Sequence, residues 1–498
     1  MVKEHSCIIE HKGTFELEAG KDLHASKLYN SDIAPTRLSQ RTWETRHFAF
    51  LWVGIAVCVP TYTVGGVLTT YFGLSVTEAI LTVLLANILV LVPLCLNAFP
   101  GTKYGIPFPV LARSSFGTLG SNLPCLVRAM IACGWFGIQT LFGGLAVHLL
   151  FSSLSDPWAR LGSVGEVLGF FLFMILNLAI VIRGSNAIKT LEALSAPLLL
   201  TVAVGLIFWS FPKVDFNSIL SEPPSRPEGT SVWPYFFSGL TAMVGFWATL
   251  SLNISDFSRF ARSQKDQVVG QIIGLPLTMC LFASLGVIMT AASPDLVGES
   301  ISDPIHLIGK IDQPFWVALS MLVIIIATVS TNTAANIVSP TNDFQNLSPR
   351  WINQTRGVLL TGAIGLSLVA WELLKKLGLL DTQLSVENLF SSWLLGYSGL
   401  IGPIAGIMMV DYFLIKRQRL NLIDLYTLKG EYPAVNRWGI LAFLIPATLA
   451  ILSLLMGSLT WLNDYSWFAG TALGGGLYYT FNRLRPVTQR STVSSPQL

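Results

Sequence analysis

The chain is short of charge: Asp, Glu, Lys and Arg make up 12% of its 498 residues, against 52% hydrophobic residues. At a mean hydropathy of +0.60, so few charges exclude an ordinary soluble enzyme of this length and describe a polytopic membrane protein. Cysteine is also scarce. Of six, only Cys7 lies in a polar tail, while Cys58, Cys95, Cys125, Cys133 and Cys280 fall in or beside apolar runs without a CxxC pair. That distribution argues against a disulfide framework or a zinc site. The net charge of +3 points to no nucleic acid. No HExxH, GxSxG or comparable nucleophile and base occurs in the apolar stretches, so neither catalysis nor a resident cofactor is expected. Residues 1–46 carry seven basic and seven acidic residues and no apolar core, and read as a cytoplasmic tail, not a signal peptide.

What the chain has in abundance is windows of about 20 apolar residues, the length that crosses hydrocarbon as a helix. They fall near 47–72, 76–99, 119–152, 164–184, 187–211, 231–253, 268–293, 313–338, 357–374, 385–415, 435–458 and 464–483. This is an all-α integral membrane protein with twelve expected spans. With the N-terminus inside, inner segments and helix ends collect 24 Lys/Arg and outer ones six, with Arg128 alone in mid-span. The positive-inside rule then puts both termini, including a tail over 484–498, in the cytoplasm of a cell-membrane protein. Residues 101–117, GTKYGIPFPVLARSSFG, are too polar and too rich in Gly and Pro to span and read as an interfacial connection. Gly54 and Pro60 interrupt the first span, and Gly239 and Gly245 stand in the sixth. Matching interrupted spans point to a transporter of inverted repeats with its site where two broken helices meet, though kinking or packing explains the same residues.

Polar residues inside the spans are few and grouped. Trp135 and Gln139, four apart, share a helix face, and an indole beside a carboxamide suits a planar, neutral heterocycle. Packing of the indole and an interhelical bond from the amide is the alternative. In the eighth span Ala327, Ser330 and Thr331 follow i, i+3, i+4 spacing and present two hydroxyls beside a small residue. Such neutral oxygens suit sodium when joined by carbonyls of a broken helix, and back-bonding to their own helix is the alternative. Asn336 lies about 140° around the axis from Thr331 and is expected to serve a different ligand. Asn332 has no assigned role. Ionisable groups avoid both clusters, which favours a neutral solute; Glu192 leaves a proton relay open. His148 and His306 read as satisfied or solvated.

Several stretches together carry a resemblance: NSDIAPT and RTW within 30–43, GTKYGIPFPVLARSSFG at 101–117, CGWFGIQT at 133–140, NISDFSRFA at 253–261, STNTAANIVSP at 330–340 and GPIAGIMMVDYFLIKR at 402–417. On these motifs the chain resembles the first family of nucleobase:cation symporters, which includes hydantoin, allantoin and uracil permeases. The resemblance implies a LeuT-like fold of two inverted five-helix repeats, here 47–211 and 231–415, plus two further helices within 435–483, working by alternating access. It also implies that Trp135 and Trp247 sandwich a heterocyclic substrate that Gln139 and Asn336 hydrogen-bond. By the same resemblance Na+ sits on the carbonyls of Gly54, Val57 and Ala327 and the hydroxyls of Ser330 and Thr331. Two positions depart from the pattern. Cys58 stands where hydantoin- and allantoin-type members carry Gln or Asn, and Phe246 stands where Gly is found in the hydantoin carrier; both bear on the substrate. The expected activity is sodium-coupled import of a nucleobase such as uracil or cytosine, allantoin or a hydantoin, by a monomer. A proton-coupled permease for the same solutes and a non-transporting sensor are the alternatives.

Overall fold

The computed structural model describes residues 8–11, 13–17, 23, 25–183, 185–210 and 212–484. A helix occupies every predicted window. In chain order the first are α1 (Thr45–Ala56), α2 (Val59–Thr70), α3 (Val76–Tyr104), the short α4 (Phe108–Phe116), α5 (Asn122–Leu154), α6 (Ser163–Arg183) and α7 (Ser185–Ser210). They continue as α8 (Trp233–Asn253), α9 (Gln264–Val297), the short α10 (Pro304–Gly309), α11 (Pro314–Thr333) and α12 (Ser339–Leu347). Last come α13 (Gln354–Lys376), α14 (Val386–Met409), α15 (Arg437–Leu455) and α16 (Ser466–Arg483). Among the described residues nine helices are long and apolar enough to cross a membrane, and ten if α1 and α2 count as one bent span.

The helices form where caps allow them. Ser75 accepts from Glu78 N while Glu78 returns a bond to Ser75 N, a reciprocal cap that starts α3. Gly105, at φ +70°, ends it. Leu81, Leu84, Leu85, Ile88 and Val92 form an exposed stripe on α3 at helical spacing, which is where lipid contacts a peripheral helix. By contrast, α5 is buried along most of its length and supplies the centre of the molecule.

The first span is broken, as Gly54 and Pro60 suggested. Pro60 has no N–H to close a turn, Cys58 is extended (φ −150°, ψ 162°) and its N–H turns to Ala56 O at 3.1 Å. As a result α1 and α2 meet at 62°. Both halves lie on α9 through glycines. A Cβ on Gly270 or Gly274 would stand 2.4 Å from Phe48 Cβ or 2.8 Å from Trp52 Cβ. One on Gly286 would stand 2.0 Å from Tyr62 O, and one on Gly65 2.0 Å from Ala283 O. Only glycine permits such an approach.

Two expectations fail here. The sixth span is not broken: α8 runs unbroken through Gly239 and Gly245, and the latter is small because its Cβ would lie 2.1 Å from Ser398 Oγ. Residues 101–117 form the end of α3, the turn at Gly105 and α4. The end of α3 and all of α4 are packed inside the protein, where the buried Arg113 donates to Asn346 Oδ1, Leu425 O and Leu28 O. Such bonds are what permit a guanidinium to be buried. The eighth span does not end at 338 but continues through a π-helical turn, Ala334–Val338, into α12.

The expected N-terminal tail is docked from residue 25 onward. Tyr426 Oη donates to Ile33 O, and Arg41 reaches Thr36 O, Thr102 O and Phe15 O. The C-terminal tail lies outside the described residues beyond Leu484, as do the side chain of Glu192 and all of Cys7.

Candidate functional site

The break between α1 and α2 faces α5, α8, α11 and the π-helical turn, and the side chains between them border a cleft with about 340 Å³ of empty space. Its walls are Ile55, Cys58, Trp135, Gln139, Phe246, Trp247, Thr249, Leu250, Thr331, Ala335 and Asn336. All six residues singled out for substrate contact are therefore brought together. No acidic or basic side chain is among them.

Aromatic rings shape the cleft. Phe246 stands edge-on to Trp135 (centroids 5.3 Å apart) and to Trp247 (4.9 Å), so it is placed between the two indoles. Trp247 is held from behind by Trp52 at 5.2 Å, and Trp135 by Phe390 at 5.6 Å. On the backbone side, Tyr397 Oη donates to Gly245 O at 2.8 Å and fixes α8 against α14. Cys58 keeps its Sγ 3.3 Å from Thr61 Oγ1.

The polar groups divide into partnered and unpartnered. Gln139 Oε1 and Trp247 Nε1 are buried without a hydrogen-bond partner among the described residues, so both remain able to bond a ligand. Asn336 Nδ2 donates to Asn332 Oδ1 at 3.0 Å. Asn336 and Thr331 both border the cleft, contrary to the expectation that they face apart. The 140° separation holds for a regular α-helix, whereas the π-helical turn adds a residue to the winding and carries Asn336 round.

Of the residues expected to hold a cation, Thr331 and Gly54 are brought into contact. Thr331 Oγ1 donates to Gly54 O at 3.1 Å and so ties α11 to the end of α1. Ser330 Oγ is buried with no partner among the described residues. Val57 on the α1 side and Ala327 on the α11 side are both buried. The donor set contains carbonyls and hydroxyls only, which fits a hard monovalent cation; no back-bond from Ser330 consumes its oxygen.

Sequence reasoning missed several residues. Thr249 completes an i, i+3, i+4 set with Phe246 and Leu250 on the cleft side, a spacing that was there to be read. Asp343 escaped because the eighth window stopped short. It is buried, and an oxygen lies 3.5 Å from Arg128 Nη1, while Arg128 Nη2 donates to Ala335 O at 3.3 Å. His148 accepts from Trp158 Nε1 at 3.1 Å and His306 pairs with Asp303 at 2.6 Å, so both histidines are satisfied.

Residues 35–479 match the family model described as permease for cytosine/purines, uracil, thiamine, allantoin. The chain is 44% identical over 415 residues to the purine-uracil permease NCS1 of Arabidopsis thaliana, covering 81% of this chain and 67% of that one. It is 36% identical over 479 residues to the allantoin permease of Bacillus subtilis (strain 168), covering 93% and 94%. In three dimensions it is similar to Mhp1, a nucleobase-cation-symport-1 family transporter solved in a closed conformation with bromovinylhydantoin bound. The TM-score is 0.74 at 23% identity, over 92% of this chain and 95% of that one. MhsT in complex with L-phenylalanine shares the fold more distantly, with a TM-score of 0.54 at 17% identity, over 86% of this chain and 99% of that one.

Proposed function

This chain belongs to the family of permeases for cytosine/purines, uracil, thiamine and allantoin, and from that premise we propose that it is a secondary active symporter of the cell membrane. It imports a small, neutral, planar nitrogen heterocycle, a nucleobase such as uracil or cytosine, allantoin or a hydantoin, with Na+ as co-substrate. The observation that carries this reading is the cleft: ring faces from Trp135, Trp247 and Phe246, carboxamides from Gln139 and Asn336, and no charged side chain on its wall. A charged ligand would demand a countercharge there.

In this reading the substrate ring is held against the indoles while Gln139 and Asn336 bond its C=O and N–H groups. Na+ is assigned to Gly54, Val57 and Ala327 through their carbonyls and to Ser330 and Thr331 through their hydroxyls. The Thr331 bond to Gly54 O supports this, since it already joins the two helices that would share the ion. Because Ile55 and Cys58 wall the cleft next to that joint, sodium binding favours one setting of the α1–α2 bend and of the substrate wall together. That is how the ion is coupled to the solute in the outward-open state. The two five-helix repeats belong to the same proposal and move against each other around this fixed site.

Uptake of labelled uracil, allantoin and hydantoin into proteoliposomes, with sodium and pH gradients imposed separately, tests the reading. Accumulation driven by the sodium gradient is expected. Binding without accumulation would instead identify a sensor. The proton-coupled reading has one observation on its side, the buried Asp343 beside Arg128, and predicts accumulation on a pH gradient alone.

A further inference from the structure

Asn332 is the one amide of α11; this reading gives it no work, and it is fully buried. It stands between two other polar groups. Asn336 Nδ2 donates to Asn332 Oδ1 at 3.0 Å, and Asn332 Nδ2 is directed at Phe136 O and Thr140 Oγ1, each 3.4 Å away on α5. Thr140 Oγ1 donates its proton to Phe136 O at 2.6 Å, so toward Asn332 it is an acceptor.

This chain of donors has a direction. A backbone carbonyl only accepts, and therefore Phe136 O decides that the NH2 end of Asn332 faces α5. The Asn332 oxygen then faces Asn336, and only the NH2 end of Asn336 can meet it. Turning Asn336 over would set two amide oxygens against each other in a buried place, with a hydrogen bond lost as well. What Asn336 has left for the cleft is Oδ1, an acceptor.

We propose that Asn332 is a positioning residue that fixes the polarity of Asn336, so that the cleft selects cyclic imides, rings in which an N–H lies between two carbonyl groups. The inference rests on the reading of the cleft as a heterocycle site and narrows it. An imide N–H donates to Asn336 Oδ1, and a flanking carbonyl accepts from Gln139 Nε2. Uracil and hydantoin offer that edge. Cytosine offers a bare ring nitrogen at the same place, which would set acceptor against acceptor.

The test is ligand binding by tryptophan quenching in sodium buffer, with uracil, hydantoin and cytosine, on the purified wild type, Asn332→Asp, Asn332→Ala and Thr140→Val. The wild type should prefer both imides to cytosine by about tenfold or more, the size of one buried hydrogen bond to a group that cannot be otherwise satisfied. Asn332→Asp, in its protonated form, donates its O–H to Phe136 O and still accepts from Asn336 Nδ2, so it should keep the preference. Asn332→Ala frees Asn336 to turn over, so the imide-to-cytosine ratio should fall toward one. Thr140→Val, which removes one acceptor of Asn332 Nδ2, should lower the ratio in the same direction. Equal wild-type affinities for uracil and cytosine overturn the proposal by themselves, even where a variant fails to fold. An Asn332→Ala protein that melts like the wild type and weakens all ligands equally overturns it too. Failure of the wild type to bind any of the three is a separate outcome, which removes the heterocycle reading and this inference with it.

Discussion

Ser330 and Thr331 are neighbours on α11, yet their hydroxyls differ in a way that makes a sharp prediction. Ser330 Oγ is buried without a partner among the described residues, whereas Thr331 Oγ1 donates to Gly54 O. In sodium-free buffer, Ser330→Ala removes no protein hydrogen bond and deletes a buried polar group whose desolvation costs about 1–3 kcal/mol. Its melting temperature should stay level or rise. Thr331→Val keeps the shape but strands Gly54 O, whose helical donor, Cys58 N, is already turned to Ala56 O. That variant should lose about 1–3 kcal/mol. Sodium at a hundred times its dissociation constant should stabilise the wild type by about 2.7 kcal/mol. Each variant lacks one oxygen of the set, and a site weakened tenfold gives back about 1.4 kcal/mol of that gain. Thermal unfolding in choline and in sodium, with uptake measured in parallel, separates the two effects. A Ser330→Ala protein that keeps the whole sodium-induced shift and unchanged sodium dependence of uptake would refute the cation assignment.

Three further outcomes follow from the same structure. Gln139→Leu should weaken substrate binding by roughly 1–3 kcal/mol, while the ligand-free protein melts no lower, since Gln139 Oε1 has no partner to lose; isothermal titration beside a melting curve checks both. Asp343→Asn leaves Arg128 buried beside a neutral amide and should cost about 3–5 kcal/mol in denaturant unfolding, much of it recovered when both members become apolar. At His306, outside the spans on α10, the hydrogen bond to Asp303 holds the imidazole above its ordinary value near 6.5. A raised folded value stabilises the protonated form, so the contribution is complete below about pH 6.5 and is lost as pH rises through the folded value. The ring is more than half exposed, so the stability effect is small, and NMR titration is the measurement. Asp303→Asn should return the midpoint to the ordinary value.

Much of this was legible in the sequence because membrane spans are written in composition. The break at Gly54 and Pro60, the Trp135 and Gln139 face and the hydroxyl pair all sit where local spacing put them. The rest was not legible, for two reasons. Gly245 looks like an interruption when only α8 is considered, and becomes a contact when Ser398 is brought beside it. Nothing in the polar, Gly- and Pro-rich segment at 101–117 tells that Arg113 is buried, since the acceptors that bury it come from residues 28, 346 and 425, far away in the chain. An angle of about 140° between Thr331 and Asn336 belongs to a regular α-helix, and no residue in STNTAANIVSP announces a π-helical turn. Long-range partners decided the first two cases, and a change of helical winding the third.

The seventh span adds a mechanical consequence. Because α9 is a continuous helix lying along both leaves of the broken one, backbone to backbone at Gly65 and Gly286, it acts as a splint on a fractured rod. The 62° joint therefore does not swing alone. Either α9 flexes with it or one leaf peels off and exposes its glycines. The splint has one weak point between the contacts to the two leaves: Pro276, which gives no N–H to Ile272 O. Any opening of the joint is thus geared to Pro276, a residue outside the cleft wall.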